Sequence, residues 1–308
     1  MMATLLNRKK KVDDLAETAG TSLAADAFRR MSRSPVAIVG AVLVAAFVLL
    51  AIFAPFLAPK DPFVRYPELV ENLRAGFVPG PQPGFLLGSD ELGRDFFSRL
   101  LVASQQSLVV GVGATIVGLV IGMTIGVAAG AFGGWVDTAL MRFTDILLSV
   151  PSLLLAISIA ALFSRGSQTT VIIAVAIVSV PIFARLLRGA MLAQRHSDHV
   201  LAATALGVKR STIVFRHMLP NSLGPVIVQA TLTLATSIID AAALSFLGLG
   251  DPDPNRAEWG LMLSKSQTYF DVKPELAFYP AAAIIVVALG FTLLGESLRE
   301  SLDPKNRR

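Results

Sequence analysis

Few residues in this chain are arranged for catalysis. His196 and His199 share the H-x-x-H spacing of a metal site, but no further ligand lies near them in sequence, and no metal site is expected. The chain has no cysteine, which excludes disulfides, thiol catalysis and thiolate-held zinc or iron–sulfur centres. A phosphate-cradling loop needs G-x-x-x-x-G-K-[ST]. The nearest string, Gly207-Val208-Lys209-Arg210-Ser211-Thr212, lacks the first glycine and the Gly-Lys junction. No nucleophile stands beside a base. The chain is therefore expected to be no enzyme and to carry no cofactor; any nucleotide hydrolysis belongs to another chain. Two features remain. Asp240 is a single acid inside the apolar run Ser237-Ile238-Ile239-Asp240-Ala241, and His199–Asn221 is a segment of mixed polarity between two apolar runs.

The surroundings of these residues are those of a membrane protein. Of 308 residues 54% are hydrophobic and 16% charged, with a mean hydropathy of +0.65. Soluble domains run near a quarter charged, so the charges here are too few to cover a soluble surface. A hydrocarbon core of about 30 Å needs roughly 20 apolar residues per helix. Runs of that kind fall near Val36–Ala58, Ser107–Ala131, Val136–Phe163, Thr169–Leu192, Leu223–Leu247 and Ala277–Leu294. The first is too long for a signal-peptide core and follows a long polar stretch. The expected class is an all-α integral membrane protein with about six spans. The expected order is a basic tail (1–35), a first span (36–58), an outer loop (59–104), a five-helix core (105–298) containing a long connection (193–222), and a short tail (299–308).

Basic residues set the expected direction. The N-terminal tail holds Arg8, Lys9, Lys10, Lys11, Arg29, Arg30 and Arg33. The connection between spans four and five is flanked by Arg185 and Arg188 and holds Arg195, Lys209, Arg210 and Arg216 against Asp198. The C-terminal tail holds Arg299, Lys305, Arg307 and Arg308. With six spans all three lie on one side, and the positive-inside rule makes that side the cytoplasm. The formal charge of +5 thus reads as topology beside a lipid bilayer, not as a nucleic-acid surface.

Within the spans, Gly118, Gly122, Gly126, Gly130 and Gly134 recur every fourth residue, extended backwards by Ala114. Such a stripe lets another helix approach backbone to backbone, in the same chain or in a partner subunit. Pro151 and Pro181 each remove a backbone hydrogen bond and are expected to bend their helices. Arg142 and Asp145 have the spacing of an i,i+3 ion pair. Asp240, with Ser237 beside it, marks either a translocation path or outer gate, or a hydrogen-bonding role near a helix end.

The connection reads as a helical hairpin. His199–Leu206 is rich in Ala and Leu and favours helix. Gly207 breaks or turns it. The arm from Val208 onward alternates at helical spacing and is expected to stop at Pro220. A part-apolar hairpin of this kind needs a partner to cover it.

Here the sequence resembles the permeases of ATP-binding-cassette (ABC) importers. Their "EAA" loop runs Glu-Ala-Ala, a glycine after three residues, then Leu-Pro after a fixed interval. Ala202, Ala203, Gly207, Leu219 and Pro220 keep that register, with Leu201 where the glutamate stands. Leu87-Gly88-Ser89-Asp90-Glu91-Leu92-Gly93-Arg94-Asp95 with Ser98-Arg99-Leu100, Gly133-Gly134-Trp135-Val136-Asp137, Ala243-Leu244-Ser245-Phe246-Leu247-Gly248-Leu249-Gly250 and Glu258-Trp259-Gly260 narrow the resemblance. They are similar to the C-type subunit of the peptide and nickel group.

The resemblance implies a six-helix type I ABC importer transmembrane domain in a bacterial inner membrane. It implies a homologous second permease with the solute path between the two, and one or two ABC ATPase subunits that bind ATP and Mg. It also implies an extracytoplasmic binding protein. The loop Leu201–Pro220 would be the coupling element docked on the ATPase, and Gly88, Asp90, Gly93 and Arg94 would shape the outer scaffold without touching substrate. Peptides are the expected cargo, with nickel chelates or other small solutes as alternatives. An ion-driven carrier would show more spans, internal repeats and several midplane ionisable residues, where this chain offers only Asp240. A channel would show a filter-like segment between spans.

Overall fold

The computed structural model describes residues 28–74 and 77–302. The basic residues Arg8–Lys11 and the tail from Asp303 onward lie outside them. The described chain is helical, with isolated β-bridges in one loop region. Helix α1 is Pro35–Leu57, α2 Phe96–Phe132, α3 Gly134–Ser149, α4 Ser152–Ala161, α5 Gln168–Gln194, α6 Asp198–Ala205, α7 Leu223–Phe246, α8 Trp259–Ser266 and α9 Glu275–Leu302. Among the described residues five helices (α1, α2, α5, α7, α9) are long and apolar enough to cross a membrane, and α3 with α4 passes that test as a pair.

Three expected spans differ from the observed helices. α2 begins at Phe96, well before Ser107, because Asp95 caps it: its Oδ2 accepts from Ser98 N at 2.9 Å. At about 1.5 Å per residue its 37 residues reach about 55 Å, well over the thickness of a hydrocarbon core. The third span is broken at Val150–Pro151, and α3 and α4 meet at 95°. Proline disfavours helical geometry at the residue before it, and Val150 is extended. Pro181, by contrast, lies inside an uninterrupted α5. α9 extends to Leu302, beyond the apolar run that announced it.

The glycine stripe packs inside this chain, against α5. A Cβ on Gly122 would lie 2.6 Å from Val180 O and 2.6 Å from Phe183 Cβ; one on Gly126 would lie 2.7 Å from Ala184 O. Gly130 faces Met191 in the same way. Gly134 falls off the stripe: nothing approaches it, and it opens α3 instead. Gly40 and Gly290 make a second close crossing, where α1 lies against α9.

The buried apolar residues form three clusters. Phe47, Trp259 and Phe291 centre one, with Phe47 5.8 Å from Trp259 and 6.2 Å from Phe291 between ring centroids. The second joins Ala114, Ala160, Ala174 and Leu244, from α2, α4, α5 and α7. Phe183, Leu187, Met191 and Val226 join the hairpin residues Val200, Ile213, Val214 and Met218 in the third. The first cluster lies at the end that holds the loops 58–95 and 247–274, the scaffold end. The third lies at the opposite, hairpin end.

Gly122→Val is expected to force α2 off α5 and cost about 2–3 kcal/mol, seen as a lower melting temperature and loss of monodisperse protein in detergent. Gly189→Ala, where a Cβ meets nothing within 4 Å, should leave the melting temperature unchanged or slightly raised.

Candidate functional sites at the two ends of the bundle

At the hairpin end, α6 is stopped by Gly207. Gly207 N donates to Thr204 O at 3.0 Å and Val208 N to Ala203 O at 3.1 Å, a helix C-cap whose turn residue has φ +73°. That backbone conformation costs an L side chain about 1–2 kcal/mol. The second arm runs through Arg210–Thr212, a π-helical Ile213–Met218 and Leu219–Asn221. The expected stop at Pro220 is not seen. The wider π turn precedes it, with Leu219 N bonding Val214 O, and the chain passes through Ser222 into α7. The distortion that proline demands is thus absorbed ahead of it without ending the helical path.

The hairpin has a buried foot and an apolar tip. Val200, Ala203, Ile213, Val214 and Met218 are buried. Leu201, Ala202, Leu206, Gly207, Phe215 and Pro220 are exposed, Leu206 by 82% and Phe215 by 62%; Leu219 is half-buried. Of the expected motif residues, Ala203 thus anchors the hairpin, and Leu201, Ala202 and Gly207 face outward.

Beside the hairpin, α3 is tied to α5 by ion pairs. Arg188 grips Asp137 with Nε–Oδ1 at 2.5 Å and Nη2–Oδ2 at 2.6 Å. Arg185 contacts Asp145, while the expected Arg142–Asp145 pair is a loose 3.9 Å. Asp137–Arg188 joins residues 51 apart in the chain, and no local spacing announces it.

At the scaffold end the acidic–basic motif folds on itself. Asp90 Oδ1 accepts from the backbone N–H of Leu92 and of Arg94, both at 2.9 Å. Its Oδ2 takes Arg94 Nε at 2.6 Å and Arg99 Nε at 3.2 Å. The two guanidinium groups then reach outward: Arg94 Nη1 to Pro254 O at 2.6 Å, Arg99 Nη1 to Pro62 O and Nη2 to Arg256 O, each at 3.0 Å. Asp90, Arg94 and Arg99 are all nearly fully buried. One carboxylate therefore clamps the loops 58–95 and 247–258 to the start of α2. Gly93 allows the tight return: its φ is +80°, its carbonyl accepts from Tyr66 N, and a Cβ there would lie 2.5 Å from Val70 Cγ2. Gly88 sits as closely on Gly80. Arg99 carries as much of this network as the four expected residues, and it is seen only once the two loops meet. Trp259 Nε1 adds a further tie to Leu100 O at 3.0 Å. Glu258 caps α8 by accepting from Gly260 N and Leu261 N, and burial pushes its carboxyl above the ordinary range. Burial raises Glu91 likewise, with Asp90 adding repulsion. A cavity of about 410 Å³ opens between this network and α8, lined by Glu91, Arg94, Asp251, Ser264, Lys265 and Tyr269 among others.

Ser237 and Asp240 part company. Ser237 is buried in the α2–α7 seam, where it accepts from Thr115 Oγ1 at 3.3 Å. Asp240 is half-exposed on α7, and no hydrogen bond or ion pair reaches it from the described residues.

Residues 122–308 match the family model described as binding-protein-dependent transport system inner membrane component. Residues 22–74 match the N-terminal TM domain of oligopeptide transport permease C. The dipeptide transport system permease protein of Alkalihalophilus pseudofirmus is 42% identical over 280 residues, covering 91% of this chain and 89% of that one. The glutathione transport system permease protein of Pectobacterium atrosepticum is 40% identical over 280 residues, with 90% of each chain covered. Among solved structures, the inward-facing MetNI methionine ABC transporter superposes with a TM-score of 0.54 at 17% identity, over 67% of this chain and 96% of that one. An amino acid ABC transporter gives 0.52 at 16% identity, over 65% of this chain and 92% of that one.

The fold is that of an ABC importer transmembrane subunit. The chain belongs to the binding-protein-dependent transport permeases, as a C-type subunit of the peptide and nickel ABC importers. It is a multi-pass inner-membrane protein and a non-catalytic permease, with ATP bound by a partner ATPase.

Asp90→Ala would strand two buried guanidinium groups, and losing one partner of a buried pair costs about 3–5 kcal/mol. A sharply lowered yield and melting temperature are expected, against little change for Glu91→Gln. A folded Asp90→Ala protein of unchanged melting temperature would show that the clamp is not structural.

Proposed function

We propose that this chain forms half of the solute pathway of an ATP-driven peptide importer and that its hairpin is the element through which a separate ATPase drives it. The observation that carries the reading is the hairpin itself. Its foot is packed into the helix bundle, while Leu201, Leu206 and Phe215 stand exposed around a turn that only glycine adopts freely. An apolar tip of that kind is suited to a cleft on a partner. Leu201 replaces an acid, so the contact rests on apolar packing at that position.

The orientation follows from charge. Arg29, Arg30, Arg33, Arg195, Lys209, Arg210, Arg216 and Arg299 gather at the hairpin end, which supports a cytoplasmic hairpin and cytoplasmic termini. The scaffold end then faces outward, where the clamp of Asp90, Arg94 and Arg99 offers a rigid platform for a binding protein. A homologous second permease would cover the open side of the bundle and complete the path. Asp240, half-exposed at depth with no partner in its own chain, suits a place on that path, since a charge facing lipid there would be costly. The ATPase chains would alternate the pair between inward- and outward-facing states, a two-state equilibrium biased by nucleotide and by the loaded binding protein. Peptides are the favoured cargo because the similar permeases are those of dipeptide and glutathione systems.

The test is transport by the reconstituted complex in vesicles. Gly207→Val strains the turn by about 1–2 kcal/mol and should lower peptide uptake per ATP hydrolysed by roughly tenfold, with the ATPase still retained and active. Normal uptake by this variant would count against the hairpin as the coupling element. Absence of any ATPase from the purified native complex would remove the importer reading.

A further inference from the structure

The hairpin is joined to α5 through the chain, and one side chain gives it a directional hydrogen-bonded tie to α2. Arg210 opens the second arm, three residues past Gly207. Its Nη2 donates to Ala131 O and, at 3.2 Å, to Phe132 O. These are the last carbonyls of α2, which the helix itself leaves unpaired, at the negative end of its dipole. Leu119, Met123 and Val127 of α2 also pack against the buried cluster that joins the hairpin foot to α5. Those contacts are non-directional and resist separation without fixing register. The charge-assisted bond from the one Nη2 to two carbonyls is directional.

The consequence is a closed triangle. α5 runs into the hairpin, the hairpin is pinned to α2 by Arg210, and α2 is locked on α5 along Gly118–Gly130. α2 then runs unbroken to the Asp95 cap and Arg99, inside the scaffold clamp. We propose that Arg210 is the positioning residue that transmits displacement of the hairpin to α2, so that α2 carries motion from the ATPase end to the scaffold end as a rigid rod. This rests on the hairpin being the ATPase-docking element.

The test uses the full complex, with ATPases and binding protein, in vesicles. For Arg210→Ala the ATPases should remain bound and hydrolyse ATP, while peptide uptake per ATP falls about tenfold, within the usual range of coupling energies. Arg210→Lys, which keeps the charge but has a shorter reach and no planar guanidinium, should recover part of it. A second measurement does not depend on that variant. The chain has no native cysteine, so with partner chains freed of reactive cysteines, spin labels at Phe132→Cys and Ser211→Cys report one distance directly. That distance should be the same without nucleotide and with ATP when Arg210 is present. A distance that changes with ATP overturns the proposal, as does Arg210→Ala with unchanged uptake per ATP. Loss of the ATPases from Arg210→Ala also overturns it, because Arg210 would then be a docking contact. Failure of the docking reading is distinct: the ATPases would be missing with Arg210 intact.

Discussion

Close packing of α2 on α5 is the contact on which the rest of the bundle hangs. A membrane offers no hydrophobic drive for helices to associate, so association depends on tight van der Waals packing and polar ties. Gly118, Gly122, Gly126 and Gly130 remove every side chain from one stripe of α2, and the carbonyls of Ala176, Val180 and Ala184 fill the space. The two helices therefore meet along their backbones over several turns. α3 is then held to α5 by the Asp137–Arg188 pair, and α7 reaches α2 where Gly111 meets Ile238. α1 and α9 close on the bundle through their own glycine crossing at Gly40 and Gly290.

The two ends of this rigid pair are built for opposite tasks. At the scaffold end a charge cluster is buried and paired: Asp90 meets two guanidinium groups, and those groups meet backbone carbonyls of both outer loops. A buried charge cluster of this kind adds little net stability over an apolar core, but it fixes how the loops sit. At the hairpin end the apolar residues are the ones left uncovered, and the charges lie at the surface. One end is shaped to keep its form. The other leaves its apolar residues exposed.

The spans, the class of protein and the hairpin were legible because they rest on local patterns: apolar runs of membrane length, a glycine every fourth residue, and a glycine between two short helical arms. Misjudged details came from the same source. Apolarity alone put the start of α2 at Ser107, because the preceding turns carry polar groups that are buried against loops, among them Ser98 and Arg99. Pro151 and Pro181 look alike in sequence, yet one breaks a span at 95° and the other lies inside a continuous helix. Pro220 was read as a stop because a proline cannot join an α-helical ladder, whereas a π turn ahead of it lets the chain continue.

The sequence by itself determined which segments are apolar enough to enter a membrane and which residues must avoid lipid, since both follow from composition along a single helix and the cost of burying polar groups in hydrocarbon. Only the tertiary structure decided which groups meet. Asp90 with Arg99, Asp137 with Arg188, Arg210 with the end of α2, and Ser237 with Thr115 are all pairings set by how the helices cross. The physical reason is that a salt bridge or capping bond depends on a few ångströms of separation. Sequence distance does not encode that separation once a glycine seam and two loops have brought remote segments together.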